Sequence, residues 1–215
     1  MQLYSSPMSP FAARCRIQIR HKQLPVDIVA PPGGMGSADI RTKNPTAKIP
    51  VLDLGDRALA ESWSIMEYLE ATQPEPSMRP ADAFEAAQLG ALVRFTDLYL
   101  GPAMFPLFQA LRGGLDDAAI QTALSNLTAQ LQLFEQHLAH KPTALDLDLA
   151  DAALLPIIWY AQVLARHFGD NDCLADLPIT QAWWNRCYVV PAVETTLNEI
   201  EAALRSVLPA IFDAT

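Results

Sequence analysis

Three short stretches of this sequence carry residue types able to do chemistry together. Ser9 precedes Pro10, the order of an N-cap followed by the first residue of a helix, and Phe11, Cys15 and Ile19 then recur at fourfold spacing. A hydroxyl so placed stands among free backbone amides at the positive end of a helix dipole, which favours bound anions, thiolates included. The run Asn44-Pro45-Thr46-Ala47-Lys48-Ile49-Pro50 leads into Val51-Leu52-Asp53, so a proline opens a strand. Proline has no amide hydrogen and leaves the backbone beside it unpaired, which suits an extended peptide binding by strand addition. A cis Ile49-Pro50 bond would turn the Ile49 N–H and C=O outwards; an ordinary trans proline is the plain alternative. Glu61-Ser62 opens a further helical pattern, where a hydroxyl and free amides could cradle a carboxylate while Glu61 pairs an amine. Taken segment by segment, Ser9 reads first as a helix cap, and Glu61-Ser62 reads equally as a solvated acid before a capping serine.

The elements that must position these residues follow from periodicity and breakers. Residues 2–5 alternate as a first strand, the Ser9-Pro10 helix follows, and residues 25–29 alternate as a second strand, parallel to the first because a helix connects them. The glycine-rich loop 31–36 has neither a feeding strand nor a Gly-Lys-Ser/Thr, so it is no phosphate loop. Residues 37–43 suit a short helix, 51–54 and 57–60 an antiparallel hairpin, and the pattern from Ser62 carries Ile65, Tyr68 and Leu69 on one face, with Ser62 as its cap. Three prolines in residues 73–80 then separate this strand-containing region from one with no convincing strand. The expected division is 1–73, a linker 74–81, and an all-helical region 82–215. There, Leu92, Phe95 and Tyr99 share one helical face, and Ile120, Leu124, Leu127, Leu131, Phe134 and Leu138 another. Asp116 is placed to cap a helix, and so is Asp148, with Asp151 at N3 and Pro156 expected to bend the same helix.

Composition bounds the partners. With 51% hydrophobic and 18% charged residues and no low-complexity tract, the chain is globular rather than disordered. A net charge of -9 repels phosphate backbones and acidic membranes, so neither nucleic acid nor a membrane is expected as a partner. Cys15, Cys173 and Cys187 form no C-x-x-C pair and leave an odd thiol, which argues against a disulfide framework and for a reducing, cytoplasmic setting. The four histidines are scattered, and no metal is expected. Cys15 reads as buried filler, Arg14 and Arg16 as structural cations, and Trp183-Trp184 with Tyr188 as core packing.

The order β-α-β-α-β-β-α, with Ser9-Pro10-Phe11-Ala12-x-Arg14-x-Arg16, then Asn44 to Leu52, then Glu61-Ser62-x-x-Ile65-x-x-Tyr68-Leu69, resembles the glutathione transferases. The resemblance implies an α/β thioredoxin-like N-terminal domain followed by an all-α helical bundle. It also implies that glutathione is the co-substrate, its cysteinyl unit paired with the Ile49 backbone beside a cis Pro50 and its γ-glutamyl group held by Glu61 and Ser62. Lys48 then contacts the glycyl carboxylate, or else is a solvated turn lysine. Ser9 matches the catalytic hydroxyl of serine-type members. Omega-like members carry Cys-Pro-Phe where this chain has Ser9-Pro10-Phe11, and a hydroxyl cannot form their mixed disulfides. Zeta-type isomerases carry Ser-Ser-Cys, from which this chain also departs. Ser5 and Ser6 are rival hydroxyls. A homodimer joining the small domain of one subunit to the helical domain of the other is implied as well.

Phe11, Phe95, Tyr99 and Phe105, with Met104 and Phe108, could line an apolar pocket for an electrophile facing Ser9, or could be core. The expected activity is detoxifying attack of a glutathione thiolate on an electrophilic, largely apolar small molecule. A non-catalytic binding or regulatory protein and a glutathione-dependent isomerase are the alternatives.

Overall fold

Leu3, the middle residue of a three-residue strand, is wholly buried, and so is its cross-strand partner Leu52. One residue on, Tyr4 and Val51 face the other side, where Ile40 and Ala47 complete a separate small cluster. Two apolar faces on strands this short follow from the period-2 alternation of side chains, and they require helices above and below. The computed structural model, which describes residues 1–170 and 172–212, supplies them.

The sheet runs β2-β1-β3-β4. β1 (Gln2–Tyr4) is parallel to β2 (Asp27–Val29) and antiparallel to β3 (Val51–Asp53), which forms the hairpin with β4 (Ala58–Ala60). α1 (Pro10–His21) and α3 (Ser62–Thr72) join Leu3 and Leu52 in the main core, while α2 (Ala38–Lys43), capped by Ser37, covers the opposite face. The second strand begins at Asp27 rather than at residue 25, because Pro25 brings no amide hydrogen to the ladder and the Val26 amide turns back to the Leu24 carbonyl at 2.8 Å.

Residues 73–82 hold no helix or strand, and from there the chain is helical: α4 (Ala83–Phe95), a π-helical turn Thr96–Leu100, α5 (Gly101–Ala103), α6 (Phe105–Ala110), α7 (Asp117–Leu138), α8 (Leu149–His167), α9 (Pro178–Tyr188) and α10 (Pro191–Val207). Residues 171 and 213–215 of this expected helical region lie outside those described. α7 buries Ala123, Leu127, Leu131, Phe134 and Leu138, one stripe at spacings of three and four. α8 passes without a break through Pro156 and is long and apolar enough to cross a membrane by length and composition, yet it is almost entirely buried as the central core helix. α1 packs against α3, α8 and α10 at once, so the helix that carries Ser9 at its start is also the element on which the helical region sits.

Candidate active site

Ser9 is the N-cap of α1: its backbone is extended (φ −78°, ψ 116°) and its Oγ accepts a hydrogen bond from the Ala12 amide at 3.1 Å. Pro10 follows at N1, where the absent amide hydrogen costs nothing. Among the described residues no acceptor takes the Ser9 hydroxyl proton, and a hydroxyl that accepts one bond is polarised to donate another more strongly.

The second stretch folds into a turn shaped by Asn44. Its buried side chain donates to the Lys48 carbonyl at 2.9 Å and accepts from the Thr46 amide at 3.1 Å, which brings Lys48, Ile49 and Pro50 round to the start of β3. The Ile49–Pro50 bond is cis.

The third stretch departs from the expected pattern in one respect. Ser62 is the first residue of α3, not its cap; the cap position belongs to Glu61, which sits at φ +68° and makes no side-chain capping bond. A non-glycine residue in the left-handed region is strained, and such strain concentrates at binding sites. The consequence is chemical. Ser37, Asp82, Asp116 and Asp148 each bond the first-turn amides of their own helices, as Ser9 does, whereas the first turn of α3, like those of α6 and α10, receives no such side chain, and at α3 the open positive end lies where Glu61 and Ser62 line a cleft.

One cleft brings these parts together: Asn44, Lys48, Ile49, Pro50, Glu61 and Ser62 line it with Phe11 from the first turn of α1. Ser9 is not itself in the lining, but it caps the helix whose second residue is Phe11. Phe95 stands apart from the cleft, nearly buried between Tyr99 (ring centroids 5.5 Å) and His137 (4.6 Å), as the core alternative held. Tyr99 and Phe105 do not line the cleft either, but both are more than half exposed. Ser5 is buried, accepts a bond from Arg16, and lines a different cavity together with Arg20 and Glu199. Cys15 is fully buried, and burial pushes its thiol up to about 12, so it is filler.

Arg14 and Asp97 are the residues that sequence reasoning did not assign to the site. The wholly buried Arg14 guanidinium lies 3.4 Å from Ser62 Oγ, 2.6 Å from an Asp97 carboxylate oxygen, and over the ring of Phe11 at 4.9 Å. It thereby puts a positive charge directly behind the Ser62 hydroxyl and the open start of α3. Asp97 reaches it from the π-helical turn, and π turns inside helices frequently mark functional positions. Arg14 had a signal: a charge beside the apolar face of a short helix must be buried with a partner. Asp97, among Phe95, Leu98 and Tyr99, had none.

The cleft therefore offers free amides for a carboxylate with the buried Arg14 behind them, an acid for an amine, an Ile49 backbone that has no hydrogen-bond partner among the described residues for an extended peptide, and a polarised hydroxyl nearby for an anion. Among the described residues no cluster of three metal-binding side chains occurs.

Residues 3–77 match the family described as glutathione S-transferase, N-terminal domain. The chain is 32% identical to glutathione S-transferase 3 of Zea mays over 93% of its own length and 94% of that protein's. It is 28% identical to a maleylpyruvate isomerase of Ralstonia over 91% and 82% of the two lengths. The structure of glutathione transferase F7 from Populus trichocarpa superposes with a TM-score of 0.76 at 24% identity, covering 93% of this chain and 98% of that one.

Proposed function

The chain belongs to the glutathione transferase family and is a glutathione transferase with a thioredoxin-like first region, and we propose that Ser9 is the hydroxyl that stabilises its glutathione thiolate. The observation that carries this reading is the single cleft in which Lys48, Ile49, Pro50, Glu61 and Ser62 meet beside the helix that Ser9 caps.

Glutathione has a partner for each of its parts there. The γ-glutamyl carboxylate takes the Ser62 hydroxyl and the open first turn of α3, with Arg14 behind; its ammonium takes Glu61. The cysteinyl unit pairs with the Ile49 backbone by strand addition, and Lys48, exposed at the rim, meets the glycyl carboxylate. The sulfur then lies towards the N-terminus of α1, where the Ser9 hydroxyl donates to it and the helix dipole favours its negative charge.

The electrophile approaches from the helical region, and the half-exposed Phe11, Tyr99 and Phe105 supply an apolar wall, with Phe95 supporting Tyr99 from the core. The reading extends to a cytoplasmic detoxifying enzyme that acts as a homodimer, without nucleic acid, membrane or metal, in which residues 1–73 bind glutathione and residues 82–215 select the electrophile. The net charge of -9 and the three free thiols support that setting. The isomerase relative favours one further reaction of the same thiolate, glutathione-dependent isomerisation of an unsaturated diacid.

Thermal-shift titration with glutathione, followed by a panel of aromatic halides, epoxides and cis-unsaturated diacids assayed with glutathione, tests this. A raised melting temperature and turnover of at least one electrophile are expected. Absence of any shift at millimolar glutathione would favour the non-catalytic binding or regulatory protein, and turnover of the diacids alone would replace conjugation by isomerisation.

A further inference from the structure

The segment that leads from β1 to Ser9 is held by side chains from elsewhere in the molecule. Pro7 and Pro10 have no amide hydrogens, so this stretch cannot close a regular ladder of its own. Met8 and Pro7 are exposed, and behind the segment lies an open cavity lined by Ser5, Pro7, Arg16 and Glu199, so packing alone does not fix it. Three successive carbonyls before Ser9 are nevertheless each taken by a side-chain donor. Arg16, 2% exposed, turns back beneath the start of its own helix: one terminal nitrogen donates to the Ser6 carbonyl at 2.7 Å and to Ser5 Oγ at 2.8 Å, the other to the Pro7 carbonyl at 2.8 Å. The third carbonyl, that of Met8, accepts the hydroxyl of Tyr160 at 2.6 Å, from α8 and 152 positions away. The Ser9 amide bonds back to the Ser6 carbonyl at 3.1 Å, so the clamped carbonyl holds Ser9 as well.

The clamp is itself anchored. Arg16 Nε faces the Glu199 carboxylate of α10 at 3.4 Å, too poorly aligned for a hydrogen bond but close enough to balance a buried cation. The ring of Tyr160 stands edge-on to Trp159 at 5.0 Å and Phe108 at 5.6 Å, so the core of the helical region fixes the direction of its hydroxyl. A planar guanidinium with two nitrogens on neighbouring carbonyls defines an orientation that a single-point cation cannot.

We propose that Arg16 and Tyr160 are positioning residues for the Ser9 hydroxyl, fixing the Ser5–Met8 segment so that the rigid helical region sets where Ser9 Oγ meets the glutathione sulfur. This inference rests on Ser9 as the thiolate-stabilising hydroxyl. Neither residue touches glutathione; both act through the backbone that carries Ser9. A hydroxyl held within a fraction of an ångström stabilises an anion, and one on a loose loop spends much of its time turned to water.

A double-mutant cycle on the whole protein tests it, reading the bound glutathione thiol pKa from thiolate absorbance together with kcat and the glutathione KM. Tyr160→Phe removes one oxygen and keeps the packed ring. It is expected to raise the bound thiol pKa and lower kcat roughly five- to tenfold, with the glutathione KM nearly unchanged because the peptide-binding groups are untouched. In the Ser9→Ala background the same change is expected to do nothing further. Arg16→Lys, which keeps the charge and loses the fork, is expected to move both quantities the same way; if it does not fold, Tyr160→Phe decides alone. A Tyr160→Phe protein with lowered melting temperature but unchanged thiol pKa and kcat would overturn the proposal and leave Ser9 standing. So would equal effects in both backgrounds. If Ser9→Ala itself leaves the thiol pKa unmoved, the reading of Ser9 fails first and the positioning role falls with it.

Discussion

The starts of α3 and α8 both expose the positive end of a helix among buried polar residues, and they use it in opposite ways. At α8 the end is closed from within. Asp148 accepts the Asp151 amide and Asp151 accepts the Asp148 amide, Lys141 is ion-paired to both, and the Trp183 indole donates to Asp151 at 2.6 Å. At α3 no side chain caps the first turn, Glu61 is held at a strained positive φ, and Ser62 faces the cleft with Arg14 behind it. The electrostatic feature is the same, but where acidic side chains of the protein itself occupy it, it stabilises the fold, whereas donors left open are available to a ligand.

Breaking the closed end should have the largest effect. Asp151→Ala leaves the buried Lys141 and Trp183 short of a partner and should cost about 3–5 kcal/mol in urea unfolding, while the glutathione KM of whatever folds stays the same. Were the KM to rise as well, the two helix starts would not be independent. Opening the comparison from the other side, Ser62→Ala should raise the glutathione KM roughly tenfold or more, the loss of one hydrogen bond to a charged group, with little change in melting temperature. A large loss of stability with an unchanged KM would make Ser62 structural, like Asp148.

Asp53 supplies the smallest and most selective test. It belongs to the same strand-containing region as the cleft yet is satisfied internally: Lys43 at 2.8 Å chiefly, and then the Tyr4 hydroxyl at 2.5 Å, hold its carboxyl down at about 2. A carboxyl depressed in the folded state contributes stability above its unfolded pKa of about 3.9, and the contribution disappears as pH falls through the folded value. The melting-temperature gap between the native protein and Asp53→Asn should therefore be a few degrees at most at neutral pH and close between about pH 4 and pH 2. The glutathione KM should not respond. A gap that persisted at pH 2 would mean that the asparagine acts through packing rather than charge.

The contrast also explains what can be read from residues alone. Capping is local chemistry, so Ser9-Pro10, Asp116 and the Asp148/Asp151 pair are all legible, as are the short strands from their alternation, while Ser37 reads as the first residue of α2 and is its cap. Ser62 reads as a cap because a serine before an apolar pattern usually is one; the positive φ of Glu61 is imposed by surroundings that no local signal encodes. Arg14 with Asp97, 83 positions apart, and Tyr160 with Met8, 152 apart, exist only once α1 is packed against the helical region. The helical pattern places Phe95 and Tyr99 on one face but cannot say that the first sinks into the core while the second stays half exposed. The residues that line the cleft near the strands are thus readable from order and spacing, whereas the groups that reach them from the helices are not.

The central claim is that the Ser9 hydroxyl shifts the ionisation of glutathione, and the bound thiol pKa reports on it directly. A free thiol of pKa about 8.5 is roughly 3% ionised at pH 7; lowering it by about 2 units makes it roughly 75% thiolate and corresponds to ~2.7 kcal/mol of differential stabilisation. Titration of thiolate absorbance in the glutathione complex should therefore give a depressed pKa for the native protein and a value near that of free glutathione for Ser9→Ala, with glutathione still bound. Equal values in the two proteins would show that Ser9 is a helix cap and no more.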